Sequence, residues 1–129
     1  MQPATSPISP GALRRLVAPA DWSDFLDQVS MELANAPVLV DVSWHGLPPT
    51  QVARGVVQAF LYDSRADVIE IAIRIPTPGP FSVLRHLIDR PESVVADAAI
   101  GLLPSMVRIE DADGRVTRVR IPPSPAFLG

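Results

Sequence analysis

The 129-residue sequence has no cysteine and no lysine; all eleven of its basic residues are arginine. Without cysteine there can be no disulfide, cysteine-bound zinc, iron–sulfur cluster or thiol nucleophile. Without lysine there can be no Schiff base and no phosphate loop of the Gly-Lys-Ser/Thr kind. Aromatic residues make up only 5% of the chain, so aliphatic side chains must fill the core. No apolar run is long enough to cross a membrane as a helix. No basic segment followed by an apolar run opens the sequence, as a secretory leader would, and the cytoplasm is the expected location. The basic excess of a general nucleic-acid binder is missing too: the formal net charge is -3 and the pI is near 5.2. A single tyrosine leaves few stacking aromatics for single strands. There is no Gly-x-Gly-x-x-Gly and no Gly-x-Ser-x-Gly elbow around any serine.

Hydrophobic residues at 47% and charged residues at 19% mark a globular chain, and its length suits one domain with one core. Fifteen prolines gather at the ends and in loops, where they punctuate the fold. Residues 1–18 read as a proline-rich disordered arm, 19–122 as a single α+β domain, and 123–129 as a flexible tail. Within the arm, Leu13-Arg14-Arg15-Leu16-Val17 is the one apolar stretch; it either frays or docks on a partner.

Trp22, Phe25, Leu26, Val29 and Leu33 recur at helical spacing and form one apolar stripe. Asp21 suits the N-cap, Asp24 suits the positive end of the helix dipole, and Asn35 with Pro37 closes the element. From Val38 to Trp44 the chain alternates, with Val38, Val40, Val42 and Trp44 on one face and Leu39, Asp41 and Ser43 on the other. Gln51–Tyr62 fits either period; its valines and Phe60 favour a strand, with Gly55 as a kink. Val68–Ile75 puts four isoleucines on one face. Phe81–Ile88 reads as a further strand, ended by Asp89-Arg90-Pro91, and Ser93–Leu103 is weakly patterned. The expected fold is one N-terminal helix on a mostly antiparallel sheet of about five to seven strands, with curling into an open barrel as a variant.

The C-terminal stretch Ile109–Ile121 contains Asp111-Ala112-Asp113-Gly114, which raises the question of a cation loop. An EF-hand loop starting at Asp111 would place Arg115 at the fifth position, Val116 where glycine is needed and Pro122 where glutamate is needed, so the pattern fails. A hairpin explains the stretch. If Asp111 faces Arg115 across a three-residue loop, Ile109 faces Thr117 and Val107 faces Val119, and the apolar partners share a face. Gly114 then falls where the left-handed residue is required.

Arg108, Arg118 and Arg120 lie with Glu110 on the other face of that hairpin. They form either a grip for phosphate, carboxylate or an acidic partner, or a solvated face. Of the two histidines, His45 lies in a loop. His86 lies on a strand with Asp89 three residues on, an acid–base pair only if the chain turns between them. No cofactor or metal is expected.

Three stretches appear in order: "DWSDFLDQVS" from Asp21, "HLIDRPESV" from His86, and "VRIEDADGRVTRVRI" from Val107. Together they resemble a small bacterial family of unknown function with a Trp-x-x-Phe helix start, a His-x-Ile-x-x-Pro segment and a terminal Asp-Gly hairpin. The resemblance spans about 19–121. It implies the order helix, strands, hairpin, and carries no catalytic residues with it.

The function expected from the sequence is a non-enzymatic accessory or protein-interaction module, with self-association at a sheet edge as one form of it. One alternative is a small-anion binder or enzyme using His86, Asp89 and arginines such as Arg85 or Arg118. Another is an inhibitor or immunity-type protein, suggested by small size and acidity.

Overall fold

The computed structural model of the chain describes residues 12–44, 47–76, 82–99 and 104–121. Among these residues one α-helix, α1 (Trp22–Glu32), packs on a sheet of eight antiparallel strands. These are β1 (Ala12–Val17), β2 (Pro37–Ser43), β3 (Thr50–Asp63), β4 (Val68–Ile75), β5 (Ser82–Asp89), β6 (Pro91–Ala99), β7 (Pro104–Asp111) and β8 (Val116–Arg120). The spatial order is β1-β6-β7-β8-β2-β3-β4-β5. Two meanders, β2 to β5 and β6 to β8, therefore join through the β2–β8 pair, and β1 is added outside β6.

The helix forms where the stripe predicts it. Trp22, Phe25, Leu26, Val29 and Leu33 are all buried. A 3₁₀ turn, Pro19–Asp21, leads into it; Asp21 holds the N-cap position but its side chain makes no capping hydrogen bond. Asn35, in the left-handed region at φ 65°, ends the run, and its N–H donates to Val57 O at 3.0 Å. Since β2 begins at Pro37, opposite Val56, the later half of β3 has no strand on that side. Ser30 of α1 fills the gap: its hydroxyl donates to Phe60 O at 2.8 Å and accepts from Phe60 N–H at 2.6 Å.

Gln51–Tyr62 is strand, and its mixed periodicity has a cause. The register of β3 shifts once against β2, between Val40 and Asp41, and once against β4, between Val57 and Ala59. Each shift moves the inward face by one residue and so imitates a helical spacing. Gly55 is needed for close approach: a Cβ there would run into the Arg74 carbonyl oxygen and lie 2.8 Å from Ile73 Cγ2.

Eight strands exceed the expected five to seven, and the extra ones lie where alternation is weakest. Ser93–Leu103 contributes to β6, and Arg14–Val17, assigned to the disordered arm, lies in β1. Six consecutive residue pairs join β1 to β6. An Arg14–Asp97 ion pair at 3.1 Å and a hydrogen bond from Trp22 Nε1–H to Val17 O at 3.0 Å add to them. Residues 1–11 and the 123–129 tail lie outside the described residues.

The sheet curls but does not close into a barrel. Arg90 alone carries the chain from β5, at one edge, to β6, one strand in from the other. Its left-handed φ of 49° makes the corner. Its N–H donates to Asp67 O at 2.9 Å and its carbonyl accepts from Ala112 N–H at 3.0 Å, tying two turns together. The curled inner face and α1 enclose the core, in which Leu26, Val40, Ile69, Ile71, Ile73, Val107, Ile109 and Val119 are completely buried.

Candidate functional site: an arginine-lined outer face

The β7–β8 hairpin forms in the register expected for a three-residue loop. Val107 pairs with Val119, Arg108 with Arg118 and Ile109 with Thr117. Gly114 takes φ 85°. Asp111 Oδ1 accepts from the N–H groups of Asp113 (2.9 Å) and Arg115 (3.0 Å), and Asp111 Oδ2 accepts from Arg115 Nε at 3.2 Å. The carboxylate thus ties the turn together. Among the described residues no cluster of histidine and acidic side chains could hold a metal ion.

Because the apolar partners face inward, Arg108, Arg118 and Arg120 project from the outer face, and the tertiary pairing brings further charges to them. β2 lies against β8 with Asp41 opposite Arg118 and Leu39 opposite Arg120. The Asp41 carboxylate is buried beneath the arginines. Arg120 reaches its Oδ2 at 3.0 Å, and Arg118 lies 3.7 Å from its Oδ1 while donating to Ser43 Oγ at 2.9 Å. That Oδ1 accepts no hydrogen bond of its own. Arg108 lies 3.6 Å from Glu110 Oε1, an ionic contact too long for a hydrogen bond.

On the other side of the hairpin, β6 and β1 complete the face. Val95 pairs with Arg108, Asp97 with Met106, and Arg14 with Asp97. Arg14, Arg108 and Arg118, from three different strands, line a cavity of about 360 Å³ together with Asp97, Val95 and Met106. Counting Arg120 beside them, four guanidinium groups face the three carboxylates of Asp97, Glu110 and Asp41, a slight positive balance, and the planar donor forks of arginine suit a carboxylate or phosphate. Burial is graded: the Arg14 side chain is 76% exposed, that of Arg108 36% and that of Arg118 28%. An anion entering from solvent would meet progressively drier donors, and Coulomb attraction strengthens as water is excluded.

The structure does not bring His86 and Asp89 together. β5 stays extended through Asp89 and the turn comes one residue later, so His86 faces inward and Asp89 outward. Across the curled interior His86 Nε2 lies 3.3 Å from Thr117 Oγ1. Burial, and secondarily the nearby Arg115 guanidinium, lowers the His86 pKa. Arg115 also stacks over Trp44, 5.4 Å from the ring centroid. Arg85 is exposed on the outer face of β5, 3.8 Å from Glu70. His45 lies outside the described residues.

Asp41, Arg14 and Asp97 were not singled out by sequence. Asp41 was legible as an outward residue of β2, but its arginine partners are more than seventy residues away. Arg14 lay in the arm and Asp97 in the weakly patterned stretch.

A family model matches residues 14–126. The chain belongs to DUF5335, a family of unknown function. The matched span takes in all three stretches on which the resemblance rested, together with Arg14, Asp41, Asp97 and the whole hairpin of this DUF5335 chain. No curated protein and no solved structure matches it. Among the described residues, no helix is long and apolar enough to cross a membrane.

Proposed function

We propose that this DUF5335 chain is a non-enzymatic binding module whose arginine-lined face receives a carboxylate-bearing segment of a partner protein. The observation that carries the reading is the cavity between Arg14, Arg108 and Arg118. The guanidinium groups come from β1, β7 and β8, and only the tertiary pairing through β6 brings Arg14 of β1 beside the β7–β8 hairpin. The buried Asp41 below holds Arg118 and Arg120 in place, so little side-chain freedom is lost on binding. A binding role is favoured over catalysis because His86 and Asp89 lie on opposite faces and His86 meets a threonine hydroxyl across the core.

Calorimetric titration of the full chain with a glutamate-rich peptide, and separately with inorganic phosphate, tests the reading. Peptide binding that weakens with added salt, and falls at least about tenfold when Arg108 and Arg118 are both changed to glutamine, is the expected result. Binding of phosphate without the peptide would turn the site into a small-anion site. Binding of neither at low salt would remove the proposal.

A further inference from the structure

The β5 edge carries a second surface, independent of the arginine face. Among the described residues, β5 forms an end of the sheet and pairs only with β4. Its register with β4 is unbroken over eight pairs, from Val68–Asp89 to Ile75–Ser82. The unbroken register leaves it without a bulge, its sequence SVLRHLID has no proline, and Arg85 and Asp89 are the charges it presents outward. Val83, Arg85, Leu87 and Asp89 point outward, and Leu87 is 54% exposed. Leu61, on β3, is also half exposed and shares a row with Leu87 across Glu70. Apolar side chains thus stand in water at the open edge.

The charges around Leu87 select an occupant. Arg85 lies two residues before it and Asp89 two residues after, all on one face. In an antiparallel pair of identical strands related by a twofold axis, residue i faces residue j and j faces i. An axis at Leu87 sets Leu87 against Leu87, and Arg85 against Asp89 of the second copy, twice over. An axis at Arg85 would oppose two arginines, one at Asp89 would oppose two aspartates, and one at His86 would set each arginine against a leucine. Opposite charges across a strand pair stabilise it and like charges destabilise it. Asp89 has no ionic partner among the described residues, and Arg85 has only the 3.8 Å contact with Glu70.

We infer that the partner of the β5 edge is a second copy of this chain, joined by antiparallel β5–β5 pairing with Leu87 on the twofold axis and reciprocal Arg85–Asp89 ion pairs beside it. The two eight-stranded sheets then run on as one. The inference does not rest on the binding role of the arginine face, because none of its residues line that cavity.

Sedimentation equilibrium of the full chain between about 1 µM and 1 mM is the test, with circular dichroism to confirm that each variant is folded. The expected mass is twice 13.9 kDa at the upper concentrations. Arg85→Asp alone and Asp89→Arg alone each oppose like charges twice and should weaken the dimer at least about tenfold, whereas the double reversal restores it. A monomer throughout the range overturns the inference. So does a dimer indifferent to the single reversals, which would use another surface, or a folded double variant that stays monomeric, which would have another register.

Discussion

The two ends of the outer face differ, although they belong to one continuous sheet. Over β1, β6, β7, β8 and β2 it is a lattice of charges, with four arginines interleaved with Asp41, Glu110 and Asp97 and one carboxylate fully covered. Over β3, β4 and β5 it carries exposed Leu61, Val83 and Leu87 and the loose Arg85–Glu70 pair. The inner face shows no such difference: valine and isoleucine line it in both meanders. Folding depends on the inner face, whose burial drives collapse in both halves. The outer face is free of that demand, and its two ends can be shaped for two kinds of contact.

The largest way to break the comparison is to attack what the halves share. Ile71→Ala removes a fully buried side chain from the middle of the sheet and should cost about 2–5 kcal/mol in urea unfolding. The next separates charge from packing at the arginine end. Changing Arg118 and Arg120 together to methionine keeps side-chain cover over the Asp41 carboxylate but removes both cations, an expected loss of about 3 kcal/mol. Asp41→Asn removes the charge and keeps the shape, with an expected loss of about 1 kcal/mol. Equal losses in the two variants would mean that the lost ion pairs, and not an uncompensated buried charge, set the cost.

The smallest effect concerns His86, which connects β5 to β8 across the interior. Its folded pKa is lowered, so between that value and the ordinary unfolded value near 6.5 the unfolded chain binds more protons. Its contribution to stability is complete above the unfolded value and is lost as pH falls toward and through the folded one. His86→Gln should flatten this acid-side decline, measured as the difference between the two unfolding midpoints at pH 7.5 and 5.5. Parallel midpoints for both proteins would place the pH dependence elsewhere.

Much of the fold was legible because it repeats locally. The Trp22–Leu33 stripe, the four isoleucines of β4 and the hairpin around Gly114 each declare their inward face within a dozen residues. β1 and β6 were not legible for the same reason. Neither stretch alternates over enough residues to stand out, and each gains its strand character by pairing, β1 with β6 and β6 with both β1 and β7. β3 was ambiguous because its two register shifts scramble the period that reveals a strand. Of the candidate site, the outward set of Arg108, Arg118 and Arg120 followed from hairpin register alone. Their partners did not, since a strand's neighbours in space are not written in its own pattern.

Composition by itself excluded cysteine and lysine chemistry, and periodicity determined the helix, the strands with regular alternation, and which side of each faces the core. These are short-range properties, set by 3.6- and 2-residue repeats and by turn stereochemistry. Only the tertiary structure decided that β8 lies beside β2, that Arg14 joins Arg108 and Arg118 around one cavity, that His86 meets Thr117 and turns away from Asp89, and that β5 is left as an edge. Strand order is settled by how the whole sheet curls to bury its inner face, a balance summed over every pair and readable in none of them singly.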